Sequence, residues 1–178
     1  MKKCSIAPFL LVLVAAPTYA DWNTGVKVSG MSKTFETDTN SQDSTSLATL
    51  VGSVGYSMPA GVNGLTVSPE LHFGVGALSG AVDNNGAQIA EVAIDSFQSF
   101  SLKAQYAVND AVYIYVAPAY TKVSYKLFDE NVSVIKSETD YSIGAGFGYR
   151  VNENLSAEFA YDNLNDTNIF SFGVNYKR

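Results

Sequence analysis

The stretch Leu65-Thr66-Val67-Ser68-Pro69-Glu70-Leu71-His72-Phe73-Gly74-Val75-Gly76-Ala77 alternates without a lapse: every odd position is apolar and every even one is polar or glycine. Side chains of a β-strand point to opposite faces with period two, so this segment reads as a strand with one greasy face and one wet or crowded face. The same rule governs 140–151, where Tyr141, Ile143, Ala145, Phe147, Tyr149 and Val151 alternate with Asp140, Ser142, Gly144, Gly146, Gly148 and Arg150.

Working outward from these two segments gives eight strand candidates, at 22–35, 47–57, 65–78, 94–107, 111–125, 139–150, 155–163 and 169–177. Most are about twice the ~5–6 residues usual in soluble sheets and match the ~9–11 residues with which a tilted strand crosses a bilayer. The connections alternate in character. Those at 36–46, 79–93, 126–138 and 164–168 are polar and acidic, whereas the intervening ones are tight, such as Val108-Asn109-Asp110 and Val151-Asn152-Glu153-Asn154. Long loops at one end and short turns at the other predict an all-β, eight-stranded antiparallel up-and-down transmembrane β-barrel, with both termini on the short-turn, periplasmic side. Tyr56, Tyr106, Tyr149 and Tyr176 sit on the apolar face near that end of the second, fourth, sixth and eighth segments, and Trp22 opens the first. Amphipathic rings at one height predict a periplasmic aromatic girdle. Pro69 and Pro118 fall inside predicted strands of a barrel with no edge on which to hide a missing N–H, which predicts a bulge at each or a different register there.

The chain opens on Lys2 and Lys3, an apolar run at 9–16 and Thr18-Tyr19-Ala20, the layout of a cleaved secretory signal peptide over residues 1–20, leaving 21–178 as one barrel domain. Cys4 is the only cysteine and lies in that leader, so the mature chain holds no disulfide, thiolate nucleophile or cysteine metal ligand. The formal net charge of −6 offers no basic patch to displace counterions from phosphates, which sets nucleic acid aside as a partner. After the leader no apolar run approaches the ~20 residues of a membrane helix, so any crossing is made by strands.

The last segment, Phe170-Ser171-Phe172-Gly173-Val174-Asn175-Tyr176-Lys177-Arg178, resembles the C-terminal signal that the outer-membrane insertion machinery reads: Ser171, Gly173 and Tyr176 occupy matching places, while Arg178 stands where an aromatic is usual. With the leader, the alternating strands and Gly144-Ala145-Gly146-Phe147-Gly148-Tyr149, the mature chain resembles the small OmpA-like, opacity-type outer-membrane β-barrel family. That resemblance implies a monomer in the outer membrane of a Gram-negative bacterium, in contact with membrane lipid and lipopolysaccharide and delivered by the insertion machinery.

If the apolar face meets lipid, the other face fills the interior, because an eight-stranded barrel is just wide enough for its own side chains. The lumenal polar network is then expected from Lys27, Glu70, His72, Lys103, Gln105, Arg150 and Glu158. Glu70 with Lys103, and Arg150 with Glu158, fall on neighbouring segments, and buried charges persist when paired. A packed polar core explains these residues more simply than an ion gate. His72, the only histidine, follows Glu70 on the same face, but it points away from acyl chains and no serine motif announces a nucleophile. The acidic connections lack the spacing of a calcium loop. No catalytic residue, metal site or cofactor is therefore expected. The leading expectation is a non-enzymatic barrel that presents acidic loops at the cell surface for envelope integrity or adhesion to an unidentified partner. A narrow ion channel and a lipid A-modifying enzyme are the alternatives, and a lipocalin-like binder would need the apolar face turned inward.

Overall fold

The computed structural model describes residues 21–36, 42–84, 87–129, 132–165 and 167–178. The leader expected at 1–20 lies outside the described residues. Every regular element among the described residues is a strand: β1 (Asp21–Glu36), β2 (Gln42–Pro59), β3 (Leu65–Leu78), β4 (Gly80–Asn84), β5 (Ala87–Ala107), β6 (Val112–Asp129), β7 (Val132–Arg150), β8 (Leu155–Leu164) and β9 (Thr167–Lys177). They pair antiparallel in the order β3-β2-β1-β9-β8-β7-β6-β5-β4, and β3 also pairs with β5, which closes the sheet. β4 resumes β3 after a break at Ser79, so the wall has eight staves. The end with the turns 60–64, 108–111 and 151–154 is called lower here, and the end where β1–β2, β4–β5, β6–β7 and β8–β9 meet is called upper.

The ladder sets the tilt. Following Cα partners once around, from Asn23 through Gly55, Glu70, Ser101, Ala119, Ser142, Leu164 and Thr167, returns to Lys33, ten residues further along β1. A shear of that size on eight strands corresponds to a tilt of roughly 40°.

Outward-facing side chains are apolar along most of this wall: Phe73, Tyr141, Ile143 and Phe172 are 58%, 77%, 64% and 61% exposed. On β7 the belt runs from Tyr149 to Tyr141, which at ~3.4 Å per residue and this tilt is roughly 20–25 Å tall, the height of a membrane barrel's apolar band. Meanwhile Ser29, Thr49, His72, Ser99, Ser101, Lys103, Thr121 and Ser171 are buried inside. Greasy outside and polar inside is stable only where hydrocarbon is the outer solvent, and it excludes the lipocalin arrangement.

Two sequence expectations change. The connections foreseen as loops are largely strand, since β1–β2 stays paired to Glu36–Gln42, β5 begins at Ala87, and β6–β7 stays paired to Asp129–Val132. Above the belt both faces of the wall meet water or core, so paired hairpins satisfy backbone groups without needing an apolar outer face. The prolines do not create bulges. Pairs flanking Pro69 keep one register on β2, from Gly55–Glu70 to Met58–Val67, and the Ser57 and Ser68 hydroxyls, 2.8 Å apart, bridge the interruption. Pro118 likewise sits between the pairs Ser101–Ala119 and Ala104–Val116 with no shift. The register shifts instead at Ala48/Thr49, Val82/Asp83 and Ile94/Ser96, all in the upper half.

Candidate functional site in the barrel lumen

The lower lumen is built around Lys103, which β5 projects inward and which is only 6% exposed. Its ammonium is hydrogen-bonded and ion-paired with Glu158 of β8, across the barrel, and stands 3.9 Å from Glu70 on adjacent β3. It also lies 4.3 Å from the Tyr115 ring centroid and 5.9 Å from that of Tyr113, over faces that carry partial negative charge. The Tyr113 hydroxyl donates to Glu158 Oε1 at 2.6 Å and lies 3.0 Å from Ser156 Oγ. One cation is thus held between two carboxylates and two aromatic faces. Removing it from water is tolerable only because each charge has partners.

Glycines on β7 make room for the two tyrosines. Tyr113 and Tyr115 stand opposite Gly148 and Gly146, and a Cβ at Gly146 would lie 2.5 Å from Tyr115 Cζ. The rings lie where those side chains would have been. The same economy appears at Gly173, where a Cβ would lie 2.6 Å from Lys27 Cβ.

Above Lys103 is a hydroxyl layer. His72 Nε2 lies 3.0 Å from Ser101 Oγ and 3.5 Å from Glu70 Oε2. Ser99 bonds Thr121 at 2.8 Å, and Ser29 bonds Ser171 at 2.8 Å. The histidine's two contacts fall on one nitrogen, and Nδ1 has no hydrogen-bond partner among the described residues. A carboxylate that orients a catalytic histidine would bind the nitrogen opposite the nucleophile, so Glu70, His72 and Ser101 do not form a hydrolytic triad. A cavity of about 60 Å³ runs through this layer, lined by Lys27, Glu70, His72, Lys103 and Asp162 among others. A lower one of about 110 Å³ reaches Gln105, Arg150 and the turn at 152–154.

The upper lumen is apolar. Met31, Leu47, Val51, Val92, Ile94, Phe97, Val123, Tyr125, Leu164 and Ile169 form one buried cluster. This layer departs from an interior expected to be polar throughout, and its cause is a change of outer solvent. Where the wall rises out of the apolar belt, burying these side chains inward is the favourable arrangement of any water-soluble barrel.

Arg150 also departs from expectation. It does not pair with Glu158, its neighbour in the ladder region. Its guanidinium points down to the rim, donating to the carbonyls of Asn109 and Asp110 at 3.3 and 3.0 Å and lying 5.2 Å from the Tyr113 centroid. Of the expected girdle, Trp22, Tyr106, Tyr149 and Tyr176 are about half exposed or more on the outer wall, and Trp22 meets Tyr56 edge-on at 5.3 Å. Tyr113, Tyr115 and Asp162 were not foreseen as lumenal. The sequence 112–120 is apolar or aromatic on both faces, and the facing glycines of β7 were the one available signal. No cluster of His, Cys, Asp and Glu that could hold a metal occurs among the described residues.

A family model described as outer membrane protein beta-barrel domain matches residues 6–177. No curated relative matches by sequence. Among solved structures, the chain is similar to neisserial surface protein A, with 14% identity over 89% of this chain and 99% of that one and a TM-score of 0.55. The N-terminal β-barrel domain of Pseudomonas aeruginosa OprF matches at 16% identity, 88% and 97% coverage and a TM-score of 0.52. Ail, the attachment invasion locus protein of Yersinia pestis, matches at 17% identity, 89% and 97% coverage and a TM-score of 0.50. At these identities the likeness is one of fold.

Proposed function

Because this chain belongs to the outer membrane protein β-barrel domain family, we propose that it is a non-enzymatic anchor that holds paired hairpins at the cell surface for contact with molecules outside. The protein is an outer-membrane barrel of a Gram-negative bacterium. The upper hairpins then face outward and the short turns face the periplasm, the usual asymmetry of such barrels.

One observation carries the reading: the lumen is filled from below by the Lys103 ion cluster and from above by the apolar layer, while hairpins continue beyond the belt. A conducting path would have to pass between Val51, Phe97 and Val123, which are buried against one another. A hydrolase acting on membrane lipid would need its histidine within reach of acyl chains, and His72 is enclosed. That Ail is an attachment invasion locus protein and NspA a surface protein accords with an adhesive or envelope role. Protease applied to intact cells should cut the β4–β5 or β1–β2 hairpin and spare the lower strands, and refolded protein should leave planar bilayers silent. Cleavage confined to lysed cells, or discrete conductance, would overturn the reading.

A further inference from the structure

Where the wall leaves the apolar belt, outward positions turn polar on most staves, but they differ in how they are satisfied. On β8 and β9 the protein answers its own groups: Tyr161 OH donates to Asn168 Oδ1 at 2.8 Å, and Asn163 Nδ2 donates to the same oxygen at 3.1 Å. On β5, β6 and β7 the same level holds Gln98, Lys122 and Thr139, which are direct ladder partners and all exposed. Adjacent strands lie about 4.8 Å apart, so an amide, an ammonium and a hydroxyl stand in one row roughly 10 Å long on the outer surface.

Among the described residues Lys122 has no ion pair. The carboxylates of β7 near it are engaged elsewhere, since Glu138 holds Lys136 at 3.3 Å and Asp140 Oδ1 accepts from the Tyr141 N–H at 2.7 Å. Just below the row, Tyr120 and Tyr141 are ladder partners whose exposed rings meet at 5.0 Å. Amphipathic rings at this height mark the headgroup level. The row thus sets one cation between two neutral donors, directly above an aromatic platform that acyl chains reach from beneath.

We propose that Gln98, Lys122 and Thr139 form a docking site for the phosphate headgroup of an outer-leaflet lipid, whose acyl chains run down over Tyr120, Tyr141 and the belt. This goes beyond the surface-contact reading and takes from it only the orientation, upper end outward. A phosphate monoester has oxygens for all three donors, and a lysine binds it as a point charge. The occupant is a lipid because the site lies at the edge of hydrocarbon, where a headgroup is held in place by its own chains. The site is also one-sided. Ser32, Ser46, Asn163 and Asn168, the polar positions at this level on β1, β2, β8 and β9, carry no charge, so the lipid is held against β5–β7 while the opposite wall meets a loose annulus.

The test uses the full barrel in detergent micelles, native mass spectrometry and lipid A as the probe. One molecule should be retained per barrel, and lipid A stripped of its phosphates should be held about tenfold more weakly or worse. Lys122→Gln should weaken retention of intact lipid A by about tenfold or more, the loss of one hydrogen bond to a charged group, and Lys122→Arg should restore it. Thr139→Val keeps the shape and deletes the hydroxyl, so it should weaken retention a few-fold, and it replaces Lys122→Gln should that variant fail to fold on a heat-modifiable gel. Lys177→Gln, at the lower end, should leave retention unchanged. Equal retention of the stripped lipid, a loss shared by Lys177→Gln, or displacement by an equal concentration of inorganic phosphate overturns the site. Protease patterns on intact cells bear on the orientation separately, so the two failures are distinguishable.

Discussion

Lys103→Met is the most informative perturbation of the lumen. Methionine keeps the length and apolar contacts of the stem and deletes the charge. At 3.9 Å from Glu70, the lost attraction is about 4 kcal/mol at an effective dielectric of ~20, and the closer Glu158 loses at least as much. Against this stands the restored freedom of the pair to be solvated in the unfolded chain, so the net cost is about 3–5 kcal/mol, that of stranding buried charges. The assay is urea unfolding of the protein refolded in lipid vesicles, followed by gel mobility before and after heating. Lys103→Met combined with Glu158→Gln should recover more than half of the loss, because the carboxylate that needed the cation is gone. If Lys103→Met is neutral, or if the double variant costs the sum of the two single ones, the three groups are not coupled and the lower lumen is not organised by its ion cluster.

Two further outcomes follow from the packing. Gly148→Ala places a Cβ against the Tyr113 ring, whose atoms are its three nearest neighbours, and should destabilise by about 1–3 kcal/mol, a loss that Tyr113→Ala in the same chain should partly relieve; additive losses in the same unfolding assay would refute the ring-over-glycine packing. Trp22, the only tryptophan in the chain and 60% exposed on the outer wall, should be quenched by lipids brominated near the headgroup and little by those brominated at the chain terminus. The reverse order would place it at the wrong depth for a girdle.

The belt was legible because hydrocarbon outside and a crowded interior inside impose strict alternation, which 65–77 and 140–151 carry unblemished. Elsewhere the pattern is lost for identifiable reasons. On β6 the lumenal Tyr113 and Tyr115 are as apolar by type as the outward Ile114 and Val116, so period two is present in space and invisible in composition. On β5 the register shift at Ile94/Ser96 changes parity, with Val92 and Ile94 buried on one side of it and Phe97 and Ser99 on the other. The contact between Lys103 and Glu158 crosses the lumen between strands that are not neighbours. Ladder reasoning compares adjacent segments only, so it assigned Glu158 to Arg150. That the β8–β9 hairpin stops at Leu164–Thr167 while β6–β7 stays paired up to Asp129–Val132 was illegible, because strand ends above the belt are not marked by hydrophobicity.

The position where the wall leaves hydrocarbon can be read residue by residue. Outward Ser32, Ser46, Gln98, Lys122, Asn163 and Asn168 are exposed and polar, and each has a buried apolar residue directly beside it in the chain: Met31, Leu47, Phe97, Val123, Leu164 and Ile169. Below this ring the polarity is opposite, with exposed Val28, Leu50, Phe100, Tyr120 and Phe170 next to or near buried Ser29, Thr49, Ser99, Ser101, Thr121 and Ser171. The same backbone thus switches from a membrane barrel to a water-soluble one within about two residues on most staves. That inversion pins the barrel at one depth, since sliding it by a turn of the pattern would drag polar groups into acyl chains at a cost of several kcal/mol per unsatisfied group. β7 adds nothing to that apolar layer: above Tyr141 its inward-parity positions are Asp140, Glu138 and Lys136, the last two ion-paired at 3.3 Å, whereas β1, β2, β5, β6, β8 and β9 all supply members of the cluster. Lys136 and Glu138 stay well exposed, so this side of the upper wall remains in water while the staves around it close over apolar core, because a charge pair moved out of water would lose more in hydration than it regains in attraction.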